Sequence, residues 1–244
     1  MTLHKTSQTI IIPDVHGRTF WKGAVDSFAE AKIIFLGDYV DPYPDEGISL
    51  EETLVVLEEI LALKKAAPDR VTLLWGNHDL HYLYPRMEGS RYDKRNATVI
   101  GAIFSENRSL FQLADECRVT GGRRFLFTHA GVCRTWLDYH FAQRCPEAFG
   151  AKALNSMLSW PESEMIGLLS LVSLFRGGHS RVGSPVWADL NEHLNSSNQL
   201  PNFVQIFGHT QSPEPVNIKG RAFCLDCKRC FLLDENGTII DLKD

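Results

Sequence analysis

Five short apolar runs in this 244-residue chain each give way to a cluster of Asp, Asn or His beside glycine. QTIII (8–12) leads into Pro13-Asp14-Val15-His16-Gly17, and KIIFL (32–36) into Gly37-Asp38-Tyr39-Val40-Asp41. VTLLW (71–75) leads into Gly76-Asn77-His78-Asp79, RFLFT (124–128) into His129-Ala130-Gly131, and FVQIF (203–207) into Gly208-His209-Thr210. Carboxylate, amide oxygen and imidazole are the side chains that hold hard and borderline divalent cations. The glycines let the backbone turn tightly and come close to a ligand. Any one fragment alone reads as a helix cap or a turn. Five in series, each after an apolar run, gather Asp14, His16, Asp38, Asn77, His78, His129 and His209. In open α/β sheets the site forms outside the carboxyl ends of the strands, so one rim is expected to carry all seven.

The elements that must position them are legible as a pattern. Between the β-rich runs lie helix-like stretches around 18–31, 50–66, 97–116 and 150–175. Ser49 with Glu52 three residues on is a capping-box start for the second of these. Strands alternating with helices predict an α/β sheet buried on its faces. At the C-terminus AFCLD is followed by CFLLDENGTIIDL, where Asn236-Gly237 between two apolar runs predicts a β-hairpin. Without repeats, low-complexity tracts or a linker (LNSSNQLPN, 194–202, reads as an ordinary polar loop), one domain over 1–244 is expected.

Composition narrows the classes. Hydrophobic residues are 44% and charged residues 23%, which supports a sizeable core and excludes wholesale disorder. The formal net charge of -5 argues against binding nucleic acid or an anionic membrane by bulk charge. No apolar stretch reaches the ~18–20 residues of a membrane span, and Ile166 to Phe175 is broken by Ser170 and Ser173. The first residues, MTLHKTSQTIII, lack the long apolar region and cleavage site of a secretory leader. Six scattered cysteines do not form a secreted disulfide framework, so reduced thiols and a cytoplasmic location are expected. Cys224, Cys227 and Cys230 have CxxCxxC spacing but no fourth ligand nearby, which favours small strand residues over zinc.

DVHG, GDYVD, GNHD, THAG and GHT, in this order over residues 14 to about 210, resemble the calcineurin-like metallophosphoesterases. GDYVD and the single His of the last motif are similar to the Ser/Thr phosphoprotein phosphatases. GNHDLH, HAG and the later Leu225-Asp226 look like the bacterial symmetrical dinucleoside tetraphosphatases. The resemblance implies a β-sandwich flanked by helices, four layers α/β/β/α, closed by the C-terminal hairpin. It implies two divalent cations, manganese first with iron or zinc as alternatives. Asp14 and His16 would hold the first, Asp38 would bridge both, and Asn77, His129 and His209 would complete the second. A pair of cations ~3.5–4 Å apart does need a shared carboxylate, and imidazole and oxygen ligands suit these metals. The implied reaction is direct in-line attack on phosphorus by a metal-bridging hydroxide. His78 would protonate the leaving oxygen, with Asp41 holding its imidazole in the right tautomer.

Two departures bear on the substrate. Where the Ser/Thr phosphatases continue GDxVDRG, with an Arg that grips phosphate, this chain has Pro42. Arg18 and Arg176 are the first candidates to replace that grip, with Arg91 and Arg95 behind them. Gln211 stands where many phosphodiesterases and nucleases have a further His, which weakens a nuclease reading. The expected function is hydrolysis of phosphomonoesters on a protein or a small phosphorylated metabolite. Hydrolysis of a dinucleoside tetraphosphate is the alternative. A non-catalytic scaffold is disfavoured, because every carried-over ligand position holds a competent residue.

Overall fold

The structure, a computed structural model, describes residues 8–145 and 148–243, so the leader reading of the first seven residues lies outside it. Eleven strands are described: β1 (Thr9–Ile12), β2 (Lys32–Phe35), β3 (Val71–Leu74), β4 (Phe111–Gln112), β5 (Ala114–Arg118), β6 (Arg124–Thr128), β7 (Val204–Phe207), β8 (Val216–Ile218), β9 (Ala222–Cys224), β10 (Cys230–Leu233) and β11 (Ile239–Leu242). The helices are α1 (Lys22–Ser27), α2 (Leu50–Ala66), α3 (Asn77–Leu83), α4 (Ala97–Glu106), α5 (Arg134–Trp136), α6 (Ala151–Ser156), α7 (Glu162–Leu169) and α8 (Leu190–Leu194). No helix among the described residues is long and apolar enough to cross a membrane.

The five apolar runs are strands, but they do not share one sheet. β1, β2 and β3 run parallel in a six-stranded sheet ordered β11-β10-β1-β2-β3-β4, whereas β6 and β7 lie in a five-stranded sheet ordered β5-β6-β7-β9-β8. Strand alternation shows how the sheets stack. Ile11, Ile34 and Leu74 of the first sheet join Phe125, Phe127, Val204 and Ile206 of the second in one buried cluster. Their neighbours Ile10, Ile12, Ile33 and Phe35 face the other way, among Val56, Leu57 and Ile60 of α2 and Phe104 of α4. On the second sheet Leu126 packs in the helical layer with Trp136, Leu154 and Met165. A sandwich with helices on both outer faces results, because central strands such as β1 and β7 are buried on both faces. Burying one such Ile or Phe side chain contributes ~1.5–3 kcal/mol.

Register then brings the strand ends level. Ile12 pairs with Phe35 and Phe35 with Leu73, so the loops after β1, β2 and β3 emerge side by side. The Asp38 carbonyl accepts from the amides of Val15 (3.0 Å) and His16 (2.7 Å), stitching two of these loops together.

Local chemistry explains several boundaries. Ser49 accepts from the Glu52 amide at 3.2 Å and the Ser49 amide donates to the Glu52 carboxylate at 2.8 Å, so the capping box starts α2 as expected. The stretch 97–116 is not one helix. It ends at Glu106, and the chain then forms β4 and β5, switching from the first sheet to the second at Leu113. Asn155 fixes this switch, its amide oxygen accepting from Leu113 (2.8 Å) and Ala114 (3.0 Å). The stretch 150–175 is broken at Trp160-Pro161, where proline lacks the donor a continuing helix needs. The C-terminal hairpin forms β10 and β11, with Leu233 opposite Ile239. Only Gly237 of the Asn-Gly pair has positive φ (83°), and its amide donates to Asp234 at 3.0 Å. The turn is therefore a longer one with glycine at the left-handed position, not the two-residue mirror-image turn.

Candidate active site

The residues named at the strand ends do converge, although the strands come from two sheets. Asp14, His16, Asp38, Asn77, His78, Asp41, His129 and His209 are each 7% exposed or less. Three triads have ligand-bearing atoms within 4.8 Å of one another: Asp41-His78-His81 and, holding the expected ligands, Asp14-His16-Asp38 and Asp38-His129-His209. Asp38 is common to the last two. Its Oδ2 lies 3.7 Å from His16 Nε2 and 3.6 Å from His129 Nε2.

The backbone is bent hard to achieve this. His16, Asp38, Asp41 and His209 all have positive φ, between 45° and 64°. Non-glycine residues held there store ~1–3 kcal/mol each, which surrounding hydrogen bonds must offset. Asp79 supplies several, accepting from the amides of Gly76 (2.8 Å), Asp38 (2.9 Å) and Tyr39 (2.9 Å). The His209 amide donates to Asp14 Oδ1 and the His78 amide to Asp38 Oδ1, both at 2.9 Å. Two glycines are required by space. A Cβ at Gly76 would lie 2.1 Å from Asp38 Oδ1, and one at Gly208 would lie 2.1 Å from Asp14 Oδ1. Cys224, whose thiol donates to the carbonyls of Gly208 and Thr210 at 3.3 Å, holds the turn that carries His209.

The hydrogen bonds also fix the tautomers. His16 Nδ1 donates to the Val40 carbonyl at 2.6 Å and His129 Nδ1 to the Leu36 carbonyl at 2.9 Å. Each ring therefore turns an Nε2 lone pair toward the cluster. There His129 Nε2 faces Asn77 Oδ1 at 2.9 Å, two acceptors in contact, with His209 Nδ1 3.0 Å from the same nitrogen. Acceptors gathered this closely fit a cation between them, and a donor set of imidazole and oxygen without thiolate fits a divalent first-row metal. Asp14, His16 and Asp38 would hold one such ion, and Asp38, Asn77, His129 and His209 a second.

Burial lifts the Asp14 carboxyl to about 6 and the Asp38 carboxyl to about 7, while it holds His16, His129 and His209 below the ordinary imidazole value. At neutral pH the imidazoles are already unprotonated, so protons on the two carboxyls are what an entering cation must displace. Divalent-cation affinity is expected to fall as pH drops through 7 toward 6. Titration calorimetry at pH 6, 7 and 8 measures this, and an affinity unchanged over that range would contradict it.

Beside the two triads that share Asp38 sits the third. Asp41 Oδ2 lies 2.8 Å from both His78 Nδ1 and His81 Nε2, and Asp41 Oδ1 accepts from the Tyr82 hydroxyl. Burial pushes the Asp41 carboxyl up, but its hydrogen bonds to His78 and Tyr82 and the close approach of the His81 ring outweigh this and hold it below the usual range. His78 Nδ1 is thereby the donor, and Nε2 turns its lone pair into the site, 3.0 Å from Arg91 Nη2. Burial lowers the His78 imidazole to about 4, with Arg91 adding to the effect and Asp41 opposing it.

Three arginines border the site. Arg18 places Nε 2.9 Å from Glu46 Oε2 and Nη1 3.2 Å from the Asp14 carbonyl. Arg176 donates to the His209 carbonyl at 2.9 Å and to Thr210 Oγ1 at 2.6 Å, with Nε 3.2 Å from Asp189. Arg91 points at the imidazoles, with Nη2 3.0 Å from His78 Nε2 and 3.4 Å from His16 Nε2. Arg95 stays exposed.

From sequence His81 and Asp226 stand only inside motifs, GNHDLH and Leu225-Asp226, with no role assigned, and Tyr82 carries no signal of its own. His81 and Tyr82 follow GNHD at helical spacing, which places them on α3 beside His78. Asp226 is 2% exposed; burial and Asp14 raise its carboxyl well above the usual range, while Arg18, Arg176 and Arg91 pull it down. The Trp187 ring stands perpendicular to that of His209, 5.7 Å between centroids, at the rim.

The calcineurin-like phosphoesterase family model matches residues 9–213. No curated protein matches the chain significantly. Among solved structures, a serine/threonine phosphatase from Saccharomyces cerevisiae, described as similar to human phosphatase PP5, is 14% identical; the match covers 98% of this chain and 81% of that one, with a TM-score of 0.49. A dimetal phosphatase from Danio rerio is also 14% identical over 96% of this chain and 97% of that one, with a TM-score of 0.36.

Proposed function

The chain belongs to the calcineurin-like phosphoesterase family, and from that premise we propose that it hydrolyses phosphomonoesters, on a protein or a small metabolite, at a two-cation centre. The observation that carries the reading is the pair of triads sharing Asp38. When bound, the two divalent cations, manganese first with iron or zinc as alternatives, would acidify water for attack on phosphorus and neutralise the phosphoryl oxygens. Asp14 and His16 hold one cation, Asn77, His129 and His209 the other, and Asp38 serves both.

The remaining residues handle the substrate and its proton. His78 Nε2 donates to the leaving oxygen, while Asp41 keeps Nδ1 protonated and stabilises the imidazolium. A phosphoryl dianion beside Nε2 opposes the lowering by burial, because nearby negative charge favours the charged ring. Arg18 and Arg176 add positive potential at the rim, each with part of its charge matched by Glu46 or Asp189. β8 to β11, which follow the family match, pair within the same two sheets, and this supports one catalytic domain over 1–244.

The test uses the purified protein loaded in turn with manganese, iron and zinc: phosphate release is read from p-nitrophenyl phosphate and a phosphopeptide, and ADP formation from diadenosine tetraphosphate, whose symmetrical cleavage frees no inorganic phosphate. Metal-dependent turnover of either of the first two is expected. Turnover of the tetraphosphate alone would replace the reading with a dinucleoside polyphosphatase. No turnover under any metal would leave a scaffold.

A further inference from the structure

The three guanidiniums differ in what already neutralises them. Arg18 lies against Glu46, and Arg176 against Asp189. Arg91 forms no ion pair with a carboxylate among the described residues. Its Nη1 donates to the Asp41 carbonyl, and its Nη2 lies 3.0 Å from His78 Nε2 and 3.4 Å from His16 Nε2. The guanidinium carbon stacks 3.8 Å from the centroid of the Tyr43 ring. Arg91 itself sits at φ 62°, a turn that aims its side chain into the site from the loop after α3.

These contacts define a position. Nη2 bridges the imidazole that would give up a proton and an imidazole that would hold a cation. A phosphoryl group must lie within reach of both for the proposed reaction to occur. Neutral imidazole is a weaker acceptor for guanidinium than a phosphoryl oxygen, which forms charge-assisted and bidentate bonds. Stacking on Tyr43 and the bond to the Asp41 carbonyl restrict the head group, so little freedom is lost on binding.

We propose that Arg91 is the guanidinium that grips the phosphoryl oxygens of the substrate. It rests on the phosphomonoesterase reading above. The grip comes from a residue 50 positions from the carbonyl that anchors it, and Tyr43 is its platform. As the phosphoryl oxygens arrive, they replace the two imidazole nitrogens as acceptors. His78 Nε2, no longer an acceptor for Arg91, is then open to take up a proton from water, which it passes to the leaving oxygen.

The experiment uses inorganic phosphate as probe. Calorimetry on the manganese-loaded protein gives its Kd for the parent, Arg91→Gln and Arg91→Lys, and mass spectrometry counts the metal in each. Arg91→Gln is expected to weaken phosphate at least tenfold and to raise KM for p-nitrophenyl phosphate by a similar factor, with metal content unchanged. Arg91→Lys, which keeps the charge without the fork, is expected to fall between the two. Parent-like phosphate affinity in Arg91→Gln would overturn the proposal while leaving the phosphomonoesterase reading intact. Loss of metal from both variants would also overturn it, assigning Arg91 to the upkeep of the cluster. A parent protein that takes up manganese but neither binds phosphate nor releases it would remove both readings.

Discussion

Replacing Asp38 with Asn is expected to reduce metal-dependent phosphate release to about a thousandth of the parent or less, with the fold retained. Asp38 is the only carboxylate that belongs to two triads. Its Oδ1 is occupied by the His78 amide at 2.9 Å, and its backbone amide by Asp79 at 2.9 Å. Asn preserves the shape, that oxygen and the left-handed turn, which asparagine tolerates well. What it removes is the negative charge at Oδ2, the atom between His16 and His129. A thousandfold loss corresponds to about 4 kcal/mol of transition-state stabilisation, a reasonable share for a shared cation ligand. Circular dichroism and metal counting accompany the assay. A folded Asp38→Asn protein with two cations and full activity would refute the bridging assignment.

His78→Asn should slow the reaction by about 10²–10⁴-fold for poor leaving groups, the range of general acid catalysis, and far less for activated ones. The geometry that argues for this is the chain from Tyr82 and His81 through Asp41 to His78. Asp41 holds Nδ1 at 2.8 Å and leaves Nε2 to face the reaction. An alkyl phosphate leaves as a strongly basic alkoxide and needs the proton, whereas p-nitrophenolate does not. The ratio of the His78→Asn effect on an alkyl phosphate to that on p-nitrophenyl phosphate is therefore the readout. Equal slowing of both would mean that His78 positions the site without donating a proton.

Much of the site could be read from the chain because it is built by a local rule, with variants, at five strand ends. An apolar run buries a strand, glycine turns it, and the next polar residue is left at the edge. Asp38, Asn77 and His209 each follow that rule, while Asp14 and His129 come straight off their strands with the glycine two or three residues later, and the position of each is set within a few residues of its own strand. Sheet membership was not legible, because nothing in KIIFL or RFLFT states which neighbour it pairs with. The helix expected through 116 stopped at Glu106, where the long-range clamp by Asn155 favours two strands over helical periodicity. Arg91 was ranked behind Arg18 and Arg176 from sequence. What sets it apart depends on a left-handed turn, a ring at Tyr43 and the absence of an acidic partner among the described residues, none of which is local. Asp226 enters from a strand end of the second sheet and becomes informative only once Asp14 and the arginines surround it.

The central claim is a centre of two cations that share one carboxylate. A crystal structure of the manganese-loaded protein, measured at the manganese absorption edge, addresses it directly. Two anomalous peaks are expected, one on each side of the Asp38 carboxylate, the first beside Asp14 and His16 and the second beside Asn77, His129 and His209. A single peak, or peaks away from Asp38, would contradict it.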